Sequence, residues 1–188
     1  MGDISRFGTT SIDELPADLR DAIKEVAERS GFVPNVFRAL AHRPAELRAF
    51  MELHTALMEK DSGLTKAERE MIVVATSAAN NCVYCVVAHG AILRIRTKQP
   101  LLSDQIAINY RRAGLTDRHR VMLDFAVKVA VESHTLEDAD FEPLREAGFT
   151  DEDIWDIGAI SAFFAYSNRI ADVTALAPNP EFYAMGRG

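Results

Sequence analysis

What this chain has little of bounds what it does. Positive charge is short: 21 Lys and Arg stand against 28 Asp and Glu, for a formal net charge of -7 and a pI near 5.2. Such a balance lacks the basic footprint that nucleic-acid binding leaves, and it argues equally against acidic partners. Long apolar runs are missing too. No stretch of 18 apolar residues occurs, so no membrane-spanning helix is expected, and the opening Met1-Gly-Asp-Ile-Ser-Arg-Phe-Gly8 has no apolar core of the kind an export signal carries. The expected location is the cytoplasm. Cysteine is scarcer still, with only Cys82 and Cys85 in 188 residues. Stable disulfides are rare in a reducing compartment, so two thiols at C-x-x-C spacing are read as redox-active or metal-binding rather than structural.

What is present is enough for one domain over residues 1–188, at 48% hydrophobic and 26% charged residues. Both cysteines fall within the stretch Glu70 to His89, in which Glu70 precedes Cys82 by twelve positions and His89 follows Cys85 by four. On a helix, Cys82 and Cys85 share a face at i, i+3, and Cys85 and His89 at i, i+4, with about 5–6 Å between Cβ atoms in each pair. Thiols that close can form a disulfide. Only a thiolate attacks, and a neighbouring imidazole or a helix N-terminus favours one. Asn81 reads as an N-cap for a helix starting at Cys82, which puts both thiols in its first turn. The macrodipole then favours charge on Cys82, whereas the nearby base favours Cys85. Glu70 lies in a segment that is apolar almost all round, so it reads as a buried carboxylate that needs a partner.

In chain order, Pro16 opens an amphipathic helix that Gly31 ends, and Asn35 reads as the cap of a short helix carrying Val36, Phe37 and Leu40. Pro44 opens a longer helix with Leu47, Phe50, Met51, His54, Leu57 and Met58 at helical spacing. His54 on that stripe reads as a core or interface histidine, His42 as a loop residue, and His119 and His134 as surface residues. Thr65 and Glu68 form a capping-box pattern for a helix over 65–79. Arg94, Arg96 and Lys98 read as a solvated helix end, Ser103 as the next cap, and Thr116 and Thr150 as two further openings. The tail over 178–188, rich in Pro and Gly, reads as an arm.

Residues 63–78 align with 148–163 at an offset of 85, sharing the Gly, Thr and acid of a helix opening. In this weak second half-repeat, over 148–170, Trp155 stands for Glu70, while Ser167 and Ile170 stand for Cys82 and Cys85. Only the first copy can do thiol chemistry. Apolar residues recur at 3.6 spacing from Pro16 to Ala177 with no competing alternation, so the predicted fold is all-α, a helical bundle or array. The apolar excess, with Trp155, Phe163, Phe164 and Tyr166 close in sequence, predicts helices packed across an oligomer interface.

The motif Glu70, Cys82, Cys85, His89, with Gly31-Phe-Val-Pro-Asn-Val-Phe37 upstream and Asn168-Arg-Ile-Ala171 downstream, resembles the AhpD-like alkylhydroperoxidase branch of the carboxymuconolactone decarboxylase superfamily. The match is narrower still to its uncharacterised peroxidase-related proteins. The resemblance covers most of the chain. It implies an AhpD-like helical array and a homo-oligomer (dimer, trimer or hexamer) that reduces alkyl or hydrogen peroxide with electrons from a thiol or dithiol reductant. It also implies that peroxide attacks at Cys85, that Cys82 resolves the sulfenic acid, that Glu70 and His89 relay protons, and that no organic cofactor is needed. Where the best-known family members carry a histidine between the cysteines, this chain has Tyr84. Tyr84 can donate a hydrogen bond but cannot act as a base near neutral pH. Asn81 and Tyr84 are thus supporting candidates.

Three alternatives use the same residues or scaffold. Cys82, Cys85, His89 and Glu70 could supply four zinc ligands, although three of them on one helix make a tetrahedron awkward. A carboxymuconolactone decarboxylase-like enzyme would not need the thiols. A thiol redox sensor would react with peroxide once and turn over poorly.

Overall fold

The computed structural model describes residues 4–188, and the fold is all-α, with no strand among the described residues. Ten α-helices follow in order: α1 Ala17–Ser30, α2 Asn35–Leu40, α3 Pro44–Met58, α4 Lys66–Ala79, α5 Val83–Thr97, α6 Leu102–Asn109, α7 Asp117–Glu132, α8 Glu142–Glu146, α9 Asp151–Thr174 and α10 Glu181–Ala184. Among the described residues no helix is long and apolar enough to cross a membrane.

Helix α4 is the hub. It packs against α5, α6, α7 and α9, and every residue from Glu68 to Ser77 is buried. Ile72, Val73 and Val74 are closed off from solvent along with Met122 and Leu123 of α7 and Ile157 and Ile160 of α9. At about 1.5–3 kcal/mol for each such aliphatic side chain, this three-helix contact dominates the stability of the domain.

The openings of α4 and α9 use one device. The Thr65 hydroxyl accepts from the Glu68 backbone N–H while the Glu68 carboxylate accepts from that of Thr65, and Thr150 and Asp153 repeat the exchange. The two openings also touch. A Cβ added at Gly63 would collide with the Asp153 carboxylate, so only glycine allows this approach.

Several local expectations are corrected. Asn35 is the first residue of α2 rather than its cap; its amide accepts no capping bond and instead donates to the Ala177 carbonyl, 2.9 Å away. Ser103 lies inside α6 and accepts from the Arg94 guanidinium. Arg94 itself is no solvated end. It is buried, and it also donates to the carbonyls of Phe182 and Met185 at 2.7 and 2.9 Å. The tail is therefore no free arm: α10 lies along α5, Phe182 is buried, and the Phe32 and Phe182 rings meet edge to face at 4.9 Å. Glu68 lies within 3.6 Å of His119, which is half-buried rather than a surface residue. Of the four clustered aromatics, Phe163 and Phe164 are buried, while Trp155 and Tyr166 are exposed.

Candidate active site

The site is built on the break between α4 and α5. Asn80 closes α4, Asn81 takes a left-handed conformation at φ 57°, and Cys82 occupies the N-cap of α5. Asn81 is thus the hinge and not the expected cap. Asparagine is among the few side chains that tolerate this backbone region. The break is held from outside by Asn168 of α9, which accepts from the Asn80 side chain and donates to the Ser77 hydroxyl, both at 2.9 Å.

This geometry puts Cys82 at the positive end of α5 and Cys85 three residues on, in its first turn, both reduced and both buried. Each thiol influences the other, and the influence separates them. Charge on Cys82 is favoured by the Cys85 thiol, by the Cys85 backbone amide and by Asn168, which together outweigh burial and hold its thiol below the usual range. The same contact and burial push Cys85 well above it. The Cys85 sulfur lies 3.8 Å from the Ser167 hydroxyl. Of the two thiols, Cys82 is therefore the one that ionises more readily.

Glu70 and His89 form the second pair. The Glu70 carboxylate, buried as predicted, is 2.8 Å from His89 Nδ1. No hydrogen bond joins His89 to either sulfur among the described residues, so the Glu70–His89 pair, which links α4 to α5, and the thiol pair are not one bonded chain. The four residues weighed as zinc ligands are accordingly not gathered: among the described residues no three His, Cys, Asp or Glu side chains converge as a metal site would require.

Tyr84 is committed elsewhere. Its hydroxyl accepts from the Val36 backbone N–H at 3.1 Å and so ties α5 to α2. Burial raises the phenol far above its usual range, which removes it from proton transfer. A cavity of about 10 Å³, large enough for roughly one water, lies against Tyr84, Ser167, Phe50 and Leu176.

Three residues of this neighbourhood were not singled out from the sequence as site residues. His54 of α3 faces His89 with 6.2 Å between ring centroids. Ser167 and Asn168 come from α9, and the one signal for Ser167 was that it stands where the second half-repeat would place Cys82.

The similarity to solved structures is extensive. An uncharacterised peroxidase-related protein with an alkylhydroperoxidase AhpD core from Ralstonia eutropha JMP134 is 61% identical, with a TM-score of 0.98 over 100% of this chain and 99% of that one. An uncharacterised peroxidase-related protein from Silicibacter sp. TM1040 is 44% identical, with a TM-score of 0.89 over 93% and 92%. The chain belongs to the AhpD-like branch of the carboxymuconolactone decarboxylase superfamily. The Carboxymuconolactone decarboxylase family model matches residues 44–99, the span that carries His54, Glu70, both cysteines and His89. The AhpD-like fold extends to the debrominase Bmp8, solved with 2,3,4-tribromopyrrole, which at 18% identity and a TM-score of 0.77 shares the architecture over 98% of this chain and 96% of that one. No match was found among curated proteins.

Proposed function

We propose that the protein is a thiol-dependent peroxidase that reduces alkyl or hydrogen peroxide through Cys82 and Cys85 and is recharged by an external dithiol. The observation that carries this reading is the pair of adjacent thiols at the start of α5, with Cys82 held below the usual thiol range and Cys85 pushed above it, together with the hydrogen-bonded Glu70–His89 pair.

The Cys82 thiolate takes the Cys85 proton as the Cys85 sulfur attacks the peroxide; a sulfur–oxygen bond forms, the oxygen–oxygen bond breaks, and the departing alkoxide takes a proton from His89. Glu70 holds His89 in place and balances its charge while that proton is on the ring. The Cys82 thiol then attacks the Cys85 sulfenic acid, forming the disulfide and releasing water. The external dithiol returns two electrons and two protons, which restore one thiol, one thiolate and the protonated His89. Charge on Cys82 and attack at Cys85 are therefore two moments of one step.

Changing either cysteine to serine should abolish turnover with tert-butyl hydroperoxide and a dithiol, with mass spectrometry showing a Cys82–Cys85 disulfide only in the unaltered protein. Turnover that survives in either variant would defeat the proposal. The pH dependence has a definite sign. The Cys85 thiol is the largest influence holding Cys82 down, so Cys85→Ser should move the midpoint of Cys82 alkylation by iodoacetamide upward.

Burial of both sulfurs favours one second reading, a redox sensor that reacts slowly and once. Steady-state consumption of peroxide with a dithiol separates the two: a sensor forms the disulfide but does not turn over. A decarboxylase reading is separated by the double Cys→Ser variant, which would leave lactone decarboxylation intact.

A further inference from the structure

The Glu70–His89 pair is nearly closed off from water, yet the reaction proposed above must return a proton to it in every cycle. His89 is sealed on one side by Phe164, whose ring stands edge-on at 4.7 Å, and on another by its hydrogen bond to Glu70. One further polar ring stands beside it, that of His54.

His54 reaches the site from α3, a different element from those bearing the sulfurs and the acid. Its ring is packed by Phe50, Phe163 and Phe164 at 6.5, 6.2 and 6.3 Å between centroids, so its position is set by three aromatic neighbours. It makes no hydrogen bond to any described residue, and it is partly exposed where Glu70 is buried. The His54 and His89 rings stand 6.2 Å apart between centroids with no hydrogen bond joining them, so a proton passing between them would cross by way of a water.

We propose that His54 is the outward station of the proton path, passing protons between solvent and the Glu70–His89 pair. The inference rests on the thiol-peroxidase reading for its purpose, though not for its geometry. His54 acts through His89 and is therefore a positioning and relay residue, not one that touches peroxide. The charged groups acting on it are His89 of α5, Glu70 of α4 and Glu59 at the end of its own helix; α9 presents only Phe163 and Phe164. Burial and the facing His89 lower its pKa to about 4, which leaves the ring neutral near pH 7 and able to accept a proton at one nitrogen while releasing one from the other.

The test compares the unaltered protein with His54→Phe, which keeps the aromatic packing, and His54→Gln, which keeps a polar group. Steady-state consumption of tert-butyl hydroperoxide with an external dithiol, followed over roughly pH 5 to 9 with and without added imidazole, should be slowed about ten-fold in both variants and restored by imidazole. Unchanged rates, or a slowing that imidazole does not relieve, would overturn the role of His54. A second readout needs no peroxide. Exchange of the His89 ring proton with solvent, measured by nitrogen-15 NMR, should be slower in His54→Phe than in the unaltered protein, and equal exchange overturns the proposal. If the unaltered protein forms no disulfide at all, the peroxidase reading fails, and the exchange measurement still decides whether His54 serves His89.

Discussion

The openings of α4 and α9 begin alike and end differently. Each starts with threonine and an acid exchanging capping bonds, and each runs into the same core. Fifteen residues past its threonine cap the first chain breaks at Asn80, turns through a left-handed Asn81 and restarts at Cys82. The second runs on unbroken to Thr174. The break has a chemical product, because it turns a residue from mid-helix into one at a helix N-terminus, where negative charge on sulfur is favoured. The unbroken helix has a mechanical one. Ser167, the counterpart of Cys82, lies against the Cys85 sulfur, and Asn168 beside it holds the ends of the break together. One copy carries the thiols and the other braces them.

Removing the brace should have the largest effect. Asn168→Ala would leave the buried Ser77 and the half-buried Asn80 without their shared partner, at about 1–3 kcal/mol for the buried group and less for the other. Denaturant unfolding should show this loss, together with faster alkylation of both cysteines as the break loosens. A variant as stable as the original would mean that the hinge holds itself. Next comes Gly63→Ala, which sets a methyl group against the Asp153 carboxylate where the two openings touch. A loss of about 1–3 kcal/mol is expected from such overpacking, and a crystal structure should show Asp153 displaced from its cap. The smallest effects test whether the openings are equivalent. Thr65→Ala and Thr150→Ala should each cost about 1 kcal/mol in the same unfolding assay. A much larger loss at Thr65 would show that the opening at α4 is also held by its further partners, since the Glu68 of that cap pairs with Arg118 and lies near His119.

How much of this could be read beforehand divides along the same line. The helices were legible because spacing of apolar residues and capping chemistry are local, and Thr65, Thr150, Pro44 and Gly31 mark the ends they were expected to mark. The burial of Glu70 was legible too, from its apolar surroundings. Asn81 and Asn35 misled for one reason: asparagine favours caps, left-handed turns and side-chain bonds to distant backbone alike, and only the tertiary structure chooses among them. Arg94 looked like a solvated helix end because its partners, the carbonyls of Phe182 and Met185, lie about ninety residues away and leave no local trace. His54 stood correctly on its apolar stripe, but nothing in the spacing of α3 tells that His89 would face it.

The two ends of the described chain are fastened to each other: the Ala177 amide donates to the Ile4 carbonyl and the Arg6 amide to that of Thr174. Ile4, Leu176, Phe182 and Met185 all belong to the small apolar cluster that contains both sulfurs. The termini thus act as the clasp of a purse whose contents are the thiols. Anything that pries at Gly188, an affinity handle included, works against the Arg187–Asp104 ion pair and against the closure of that cluster.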